Sequence, residues 1–192
     1  KEAMERFGSD KPDTRYGMEL YDLSDIVKDC GFGVFSNTVK DGGSVRGITA
    51  KNAFKSLSRK EIDKLTDSVK GNGAKGLALA RIAEDGTVSS SFAKFITEDE
   101  LKAILDKAGA EAGDVVLIIG DVKNSIVFNA LGALRQEVAK RLEIIPEGQY
   151  NLLWITEFPF FDWDEDSKTW VAMHHPFTAP MDECLEYLET DK

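Results

Sequence analysis

Residues 114–120, DVVLIIG, set five apolar side chains in an unbroken row between Asp114 and Gly120. A continuous apolar run of this length, bounded by a carboxylate and a glycine, reads as a buried strand. It is followed by NSIVFNALGALRQEVAKRL, in which Val127, Leu131, Leu134, Val138 and Leu142 recur at helical spacing. Arg135, Lys140 and Arg141 lie towards the C-terminal end of that helix, where cations complement the dipole, and Pro146 stands beyond it.

The residues before the apolar run carry the same kind of punctuation. Ser58 with Glu61 has the form of a capping box opening SRKEIDKLTDSVKGNG, with Ile62, Leu65 and Val69 as its stripe and Gly71 as its stop. Thr97 with Glu100 repeats the box before LKAILDKAG, where Leu101, Ile104, Leu105 and Ala108 share a face and Gly109 ends the helix. Residues 32–35 (FGVF) and 45–49 (VRGIT) read as strands joined by a loop containing Asp41-Gly42-Gly43. Leu77 to Ile82 and Val88 to Phe92 read as a hairpin turning at Asp85-Gly86. Strands thus come mostly in pairs between helices. The expected class for residues 21–146 is α+β: a two-layer, mixed or antiparallel sheet with helices on one face.

The ends differ in texture. FGSDKPDTRYG, within residues 1–20, is turn-rich and polar, and residues 147–192 hold 2 basic against 11 acidic side chains. In the latter, LLWITE (152–157) and TWVAMH (169–174) read as strands, with Asp164-Glu165-Asp166-Ser167 as a turn. Both ends read as pieces of a neighbouring structure, and strands there lack sheet partners, so loose packing is expected. No run approaches the roughly 18 to 20 apolar residues of a membrane helix, and KEAMERFGSD has no basic-then-apolar leader. A cytoplasmic protein with two free thiols, Cys30 and Cys184, is the corresponding expectation.

The formal net charge is −10, which argues against a general nucleic-acid binder. Residues 46–75 nevertheless hold 8 basic side chains against 3 acidic ones. Arg46, Lys51, Lys55, Arg59, Lys60 and Lys64 are therefore candidates for phosphate contact. The competing and more common explanation of such a cluster is the solvated face of a helix.

His174 and His175 are the only histidines, fenced by Pro176 and Pro180. On a strand they point to opposite faces, so they do not easily share a metal ion. The acids Asp162, Asp164, Glu165 and Asp166 lack the glycine and spacing of an EF-hand loop. No GxSxG, P-loop or GxGxxG string is present; GNGAKG (71–76) ends a helix where a phosphate loop would open one. A Cys184–His175 pair has no local support. What remains is an imidazole able to hydrogen-bond a small carboxylate.

Two strings go further. GSDKPD (8–13), within ERFGSDKPDTRYGMEL, and AMHHPFT (172–178), within LLWITEFPFFDWDEDSKTWVAMHHPFTAP, resemble segments of bacterial-type aspartyl-tRNA synthetases. They stand in the right order, and their separation fits that family's inserted GAD domain. Thr14, Glu157 and Ala179 depart from its usual Leu, Asp and Ser. The resemblance covers essentially the whole chain and implies flanks of a class II catalytic module at 1–20 and 147–192 around a GAD insertion at 21–146. It implies a parent enzyme, a homodimer, that activates L-aspartate with ATP and Mg2+ and transfers it to tRNA(Asp). By the same resemblance His174 holds the substrate aspartate and His175 supports the pocket. The family's class II ATP-gripping arginine has no counterpart here, so this chain by itself is expected to be inactive. The insertion then either contacts the tRNA acceptor arm through the basic cluster or is a structural or protein-interaction insert.

Overall fold

A computed structural model of the chain describes residues 1–164, 166–173 and 179–187. The chain divides into two compact units, Lys1–Leu153 and Trp154–Lys192.

The first unit begins with helix α1 (Glu2–Phe7), strand β1 (Tyr21–Asp22), and helices α2 (Ser24–Val27) and α3 (Gly33–Lys40). Strand β2 (Ser44–Ala50), helix α4 (Arg59–Gly71) and the hairpin β3 (Ala78–Ile82) and β4 (Val88–Ser90) follow. A 3-10 turn (Ala93–Phe95), helix α5 (Glu98–Lys107), strand β5 (Val115–Asp121) and helix α6 (Asn124–Arg141) complete it.

The apolar run becomes β5, the middle strand of a five-stranded sheet ordered β1-β2-β5-β3-β4. Every pairing in that sheet is antiparallel: Ala50 faces Val115 and Ser44 faces Asp121, while Leu79 faces Leu117 on the other side. The expected α+β class and antiparallel sheet are present.

The expectation of helices on one face is corrected. Val115, Leu117 and Ile119 join Ile48 and Ala50 in a core with α4 and α6. Val116 and Ile118 join Val45, Ala80 and Ile82 on the opposite face, under Val27 of α2, Phe35 of α3, Phe92 and Ile104 of α5. Side chains alternate across a strand, so five consecutive apolar residues demand cover on both sides, and all five are at most 1% exposed. The α6 stripe supplies Val127, Leu131, Leu134 and Val138 to one of these cores, each stabilising by roughly 1.5 to 3 kcal/mol when fully buried.

Local signals mostly resolve as expected. Thr97 and Glu100 form a complete capping box: Thr97 Oγ1 accepts from the Glu100 amide (3.2 Å), and Glu100 Oε2 accepts from the Thr97 amide (2.8 Å). The box at Ser58 is half-formed. Ser58 Oγ accepts from the Glu61 amide, while the Glu61 carboxylate turns instead to Lys64 and to Arg141 on α6. At the hairpin, Gly86 takes φ +84° and Asp85 Oδ1 accepts from the Thr87 amide (2.9 Å).

FGVF is not a strand. Gly33 opens α3, and the buried or half-buried positions Phe32, Phe35, Ser36 and Val39 follow helical spacing. Phe35 meets Phe32 edge-on at 4.8 Å and lies 5.4 Å from Phe92. Cys30, 5% exposed, lies in this core as a free thiol whose pKa burial pushes up; Cys184 is also free.

Residues 1–20 are integral to the first unit. Gly8 caps α1 at φ +65° and crosses α6 at Gly132 so closely that a Cβ on Gly132 would stand 2.3 Å from the Gly8 carbonyl oxygen. Arg135, expected near the helix end as a dipole partner, is buried against residues 13–18.

The second unit holds strands β6 (Phe161–Asp164) and β7 (Thr169–Ala172), paired antiparallel, and a 3-10 segment, Asp182–Tyr187. LLWITE, expected as a strand, forms none. Leu152 and Trp154 are over 90% exposed, and an extended segment without a neighbour has no ladder to satisfy its amides. β7 pairs with β6 instead, with Trp163 edge-on to Trp170 at 5.5 Å. Asp164 closes the turn by accepting from Ser167 Oγ (2.6 Å) and the Asp166 amide (3.1 Å). Among the described residues no helix is long and apolar enough to cross a membrane.

Candidate nucleic-acid interface

The basic cluster separates into engaged and available cations. Arg46, on β2, ion-pairs with Asp22 at 2.9 Å, and its guanidinium lies 4.9 Å from the Phe128 ring centroid on α6. Its side chain is 14% exposed, so it has little surface to offer a phosphate. Lys51 is drawn into a knot at the end of β2: its Nζ meets Asp114 (2.9 Å), Glu111 (3.4 Å) and the Gly109 carbonyl oxygen (2.6 Å). The hydrogen bond to Asp114 raises its pKa. Lys55 pairs with Glu84 at 2.8 Å and Lys64 with Glu61 at 2.7 Å, and these contacts lower the pKa of each glutamate.

Arg59 and Lys60 differ. Both are exposed in the first turn of α4, just after the N-cap Ser58, and neither makes an ion pair among the described residues. The exposed pairs beside them, Lys55–Glu84 and Lys64–Glu61, are worth ~0 to 1 kcal/mol each, so a phosphate can compete for both lysines. Lys55 thus precedes α4, while Arg59, Lys60 and Lys64 lie in its first two turns, all four exposed. Arg46 and Lys51 are tied to other partners.

This group has a fixed place in the unit. Arg141, in the last turn of α6, ion-pairs with Glu61 and Glu137, so the end of α6 is bound to the start of α4. Residues 142–153 leave from that same end. Charge counting found the cations but not their partners, since Asp22, Glu84, Asp114 and Glu111 are distant in sequence. Lysine–glutamate spacing of three residues was the one legible pairing signal, at Glu61 and Lys64.

His174 and His175 lie outside the described residues, as does Glu165 of the expected acidic turn.

Comparison with known proteins places the sequence in a family. The GAD domain profile matches residues 35–131, which span α3 through the middle of α6. The chain belongs to the GAD domain family. Its full length is also similar to part of longer proteins. It is 57% identical over 190 residues to an aspartate–tRNA ligase of Ruminiclostridium cellulolyticum, covering 99% of this chain and 32% of that one. An aspartate–tRNA ligase of Agathobacter rectalis is 54% identical over 191 residues, covering 100% of this chain and 32% of that one. An aspartate–tRNA(Asp/Asn) ligase of Lachnoclostridium phytofermentans is 53% identical over the same span and shares. The chain thus spans about a third of the length of these curated relatives.

Proposed function

We propose that this chain is the insertion-bearing part of a cytoplasmic aspartate–tRNA ligase. The observation that carries this reading is end-to-end identity of 53 to 57% with such ligases, spanning both flanks and the GAD domain alike. In this reading residues 1–20 and 147–192 belong to the catalytic module and residues 21–146 are the insertion. His174 and His175 form an edge of the L-aspartate pocket. ATP and Mg2+ belong in this reading to the remainder of the parent, a homodimer. The 192-residue chain is accordingly expected to give no ATP–pyrophosphate exchange above a buffer control, whereas the complete ligase gives aspartate-dependent exchange. Exchange by the 192-residue chain would refute this division of labour.

The insertion's part in this reading is to contact the backbone of the tRNA acceptor arm through Arg59 and Lys60, with Lys55 and Lys64 recruited from their exposed pairs. Two to four phosphate contacts make a weak, salt-sensitive site, which suits a local contact on a chain of net charge −10. A titration with a tRNA(Asp) acceptor minihelix at low and moderate salt tests it. Binding is expected to weaken with salt, and the triple variant Lys55→Glu, Arg59→Glu, Lys60→Glu is expected to lose about tenfold or more in affinity at low salt. Equal binding by both proteins would leave the insert as a structural or protein-interaction module.

A further inference from the structure

Arg135 is 1% exposed and makes no ion pair among the described residues. Its guanidinium instead converges on backbone carbonyl oxygens of one short segment. Nε donates to Met18 O at 2.8 Å, and Nη2 donates to Gly17 O at 2.5 Å and Asp13 O at 3.0 Å. The rings of Phe7 and Tyr16 lie 5.0 Å and 4.8 Å from it. Burial lowers its pKa, and the aligned carbonyl dipoles offset the cost of keeping the charge there. A planar fork suits this arrangement; a lysine ammonium, a point charge, cannot span it.

The segment that Arg135 holds is bent. Gly17 and Met18 both lie in the left-handed region, at φ 62° and 53°. For a methionine that conformation is strained and persists only where surroundings enforce it. The same segment reaches across to the chain leaving the domain. Arg15, aligned by Asp13 at 2.7 Å, donates through Nη1 to the carbonyl oxygens of Pro146 (3.5 Å) and Gln149 (3.3 Å), and Asn151 Nδ2 donates to Thr14 Oγ1 (2.5 Å). The entering residues 13–18 and the leaving residues 146–151 therefore run side by side. Arg135 fastens the entering segment to α6, the helix whose last turn also holds the first turn of α4 through Arg141 and Glu61.

We propose that Arg135 is a positioning residue that locks the entering and leaving chains into one rigid neck, fixing the orientation in which the domain presents the Arg59–Lys60 cations. The presentation part of this proposal rests on the ligase reading above; the clamp itself does not.

The test compares wild type with Arg135→Met, Arg135→Lys and Arg15→Ala. In the 192-residue chain, amide exchange of residues 14–20 is read against the β3–β4 hairpin as an internal reference. In the full-length ligase, kcat and KM for tRNA(Asp) are read against the ATP–pyrophosphate exchange rate. Arg135→Met is expected to speed exchange at 14–20 about tenfold or more while the hairpin stays within about twofold. In the ligase, kcat/KM for tRNA relative to the exchange rate is expected to fall about tenfold, mostly through KM. Arg135→Lys recovers part of both effects, and Arg15→Ala shifts both in the same direction as Arg135→Met. Should Arg135→Met fail to fold, Arg15→Ala, whose side chain is partly exposed, carries the comparison. Unchanged protection at 14–20 in a folded variant overturns the clamp. Faster exchange with an unchanged charging-to-exchange ratio overturns its role in presentation. A wild-type parent with neither activity overturns the ligase reading instead, and the amide data still decide the clamp.

Discussion

Asp114→Ala is expected to destabilise the first unit by about 2 to 4 kcal/mol, because it leaves two part-buried backbone amides without their acceptor. Asp114 is 2% exposed and directly precedes the central strand β5. Its Oδ1 accepts from the Asn52 amide (2.9 Å), and Oδ2 accepts from the Glu111 amide (2.9 Å) and meets Lys51 Nζ (2.9 Å). One carboxylate thus fastens the turn after β2, where Asn52 sits at φ 53°, to the connection between α5 and β5. The two amides contribute more than the lysine does, because the Lys51 side chain is 51% exposed and returns to water at little cost. Lys51→Met is therefore expected to cost at most about 1 kcal/mol. Asp114→Asn, which keeps one acceptor oxygen, should fall between the two. Urea denaturation followed by far-UV circular dichroism measures all three. A Lys51→Met loss as large as that of Asp114→Ala would show that the ion pair, and not the amide bonding, holds the knot together.

How far the sequence alone reaches can be argued from the same elements. β5, α4, α5 and α6 are legible because their signals are local: a continuous run, capping residues, and stripes at spacing of three and four. FGVF was misleading because four residues cannot separate a strand from the first turn of a helix. Extending the window to Val39 shows Phe32, Phe35 and Val39 at helical spacing. The second helical layer was implicit in the apolar run itself, since a strand that is apolar on both sides must be covered on both sides. Arg135 was misread as a dipole partner, although its position carried the opposite signal. It stands four residues after Leu131 and three before Val138, on the apolar stripe of α6, where a charge needs a buried partner. That its partners are carbonyl oxygens of residues 13–18 was not legible, because those contacts join positions over 110 residues apart. At the candidate interface the cations were legible and their carboxylate partners were not, and that difference divides Arg59 and Lys60 from Arg46 and Lys51.

Gly132→Ala sets two local effects against each other, and their magnitudes decide the sign. Within a helix, alanine is favoured over glycine by about 0.8 to 1.0 kcal/mol, and propensity alone makes the variant more stable. The new Cβ, however, would stand 2.3 Å from the Gly8 carbonyl oxygen and 2.9 Å from its carbon. Both are backbone atoms and cannot rotate away. Gly8 cannot retreat freely, since it caps α1 at φ +65°, its amide donates to Met4 O at 2.9 Å, and its own Cβ position is blocked by Phe128 O at 2.3 Å. Separating α1 from α6 opens the packing of Phe7 and disturbs the bed on which Arg135 holds residues 13–18. Overpacking of this kind costs about 3 kcal/mol, so the net expectation is a loss of about 2 kcal/mol, or a fall in melting temperature of about 4 to 8 °C for a unit of this size. Gly132→Val deepens the loss, since it adds bulk to the clash without alanine's propensity gain. The check is a pair of denaturation curves with amide exchange at residues 2–8. A stabilised Gly132→Ala with unchanged protection in α1 would mean that the helices part at no cost and that the close crossing does not fix the neck. Loss of stability confined to α1 and residues 13–20, with the sheet intact, would mean that the entry segment opens as a cooperative unit of its own, with the Gly8–Gly132 crossing as its latch.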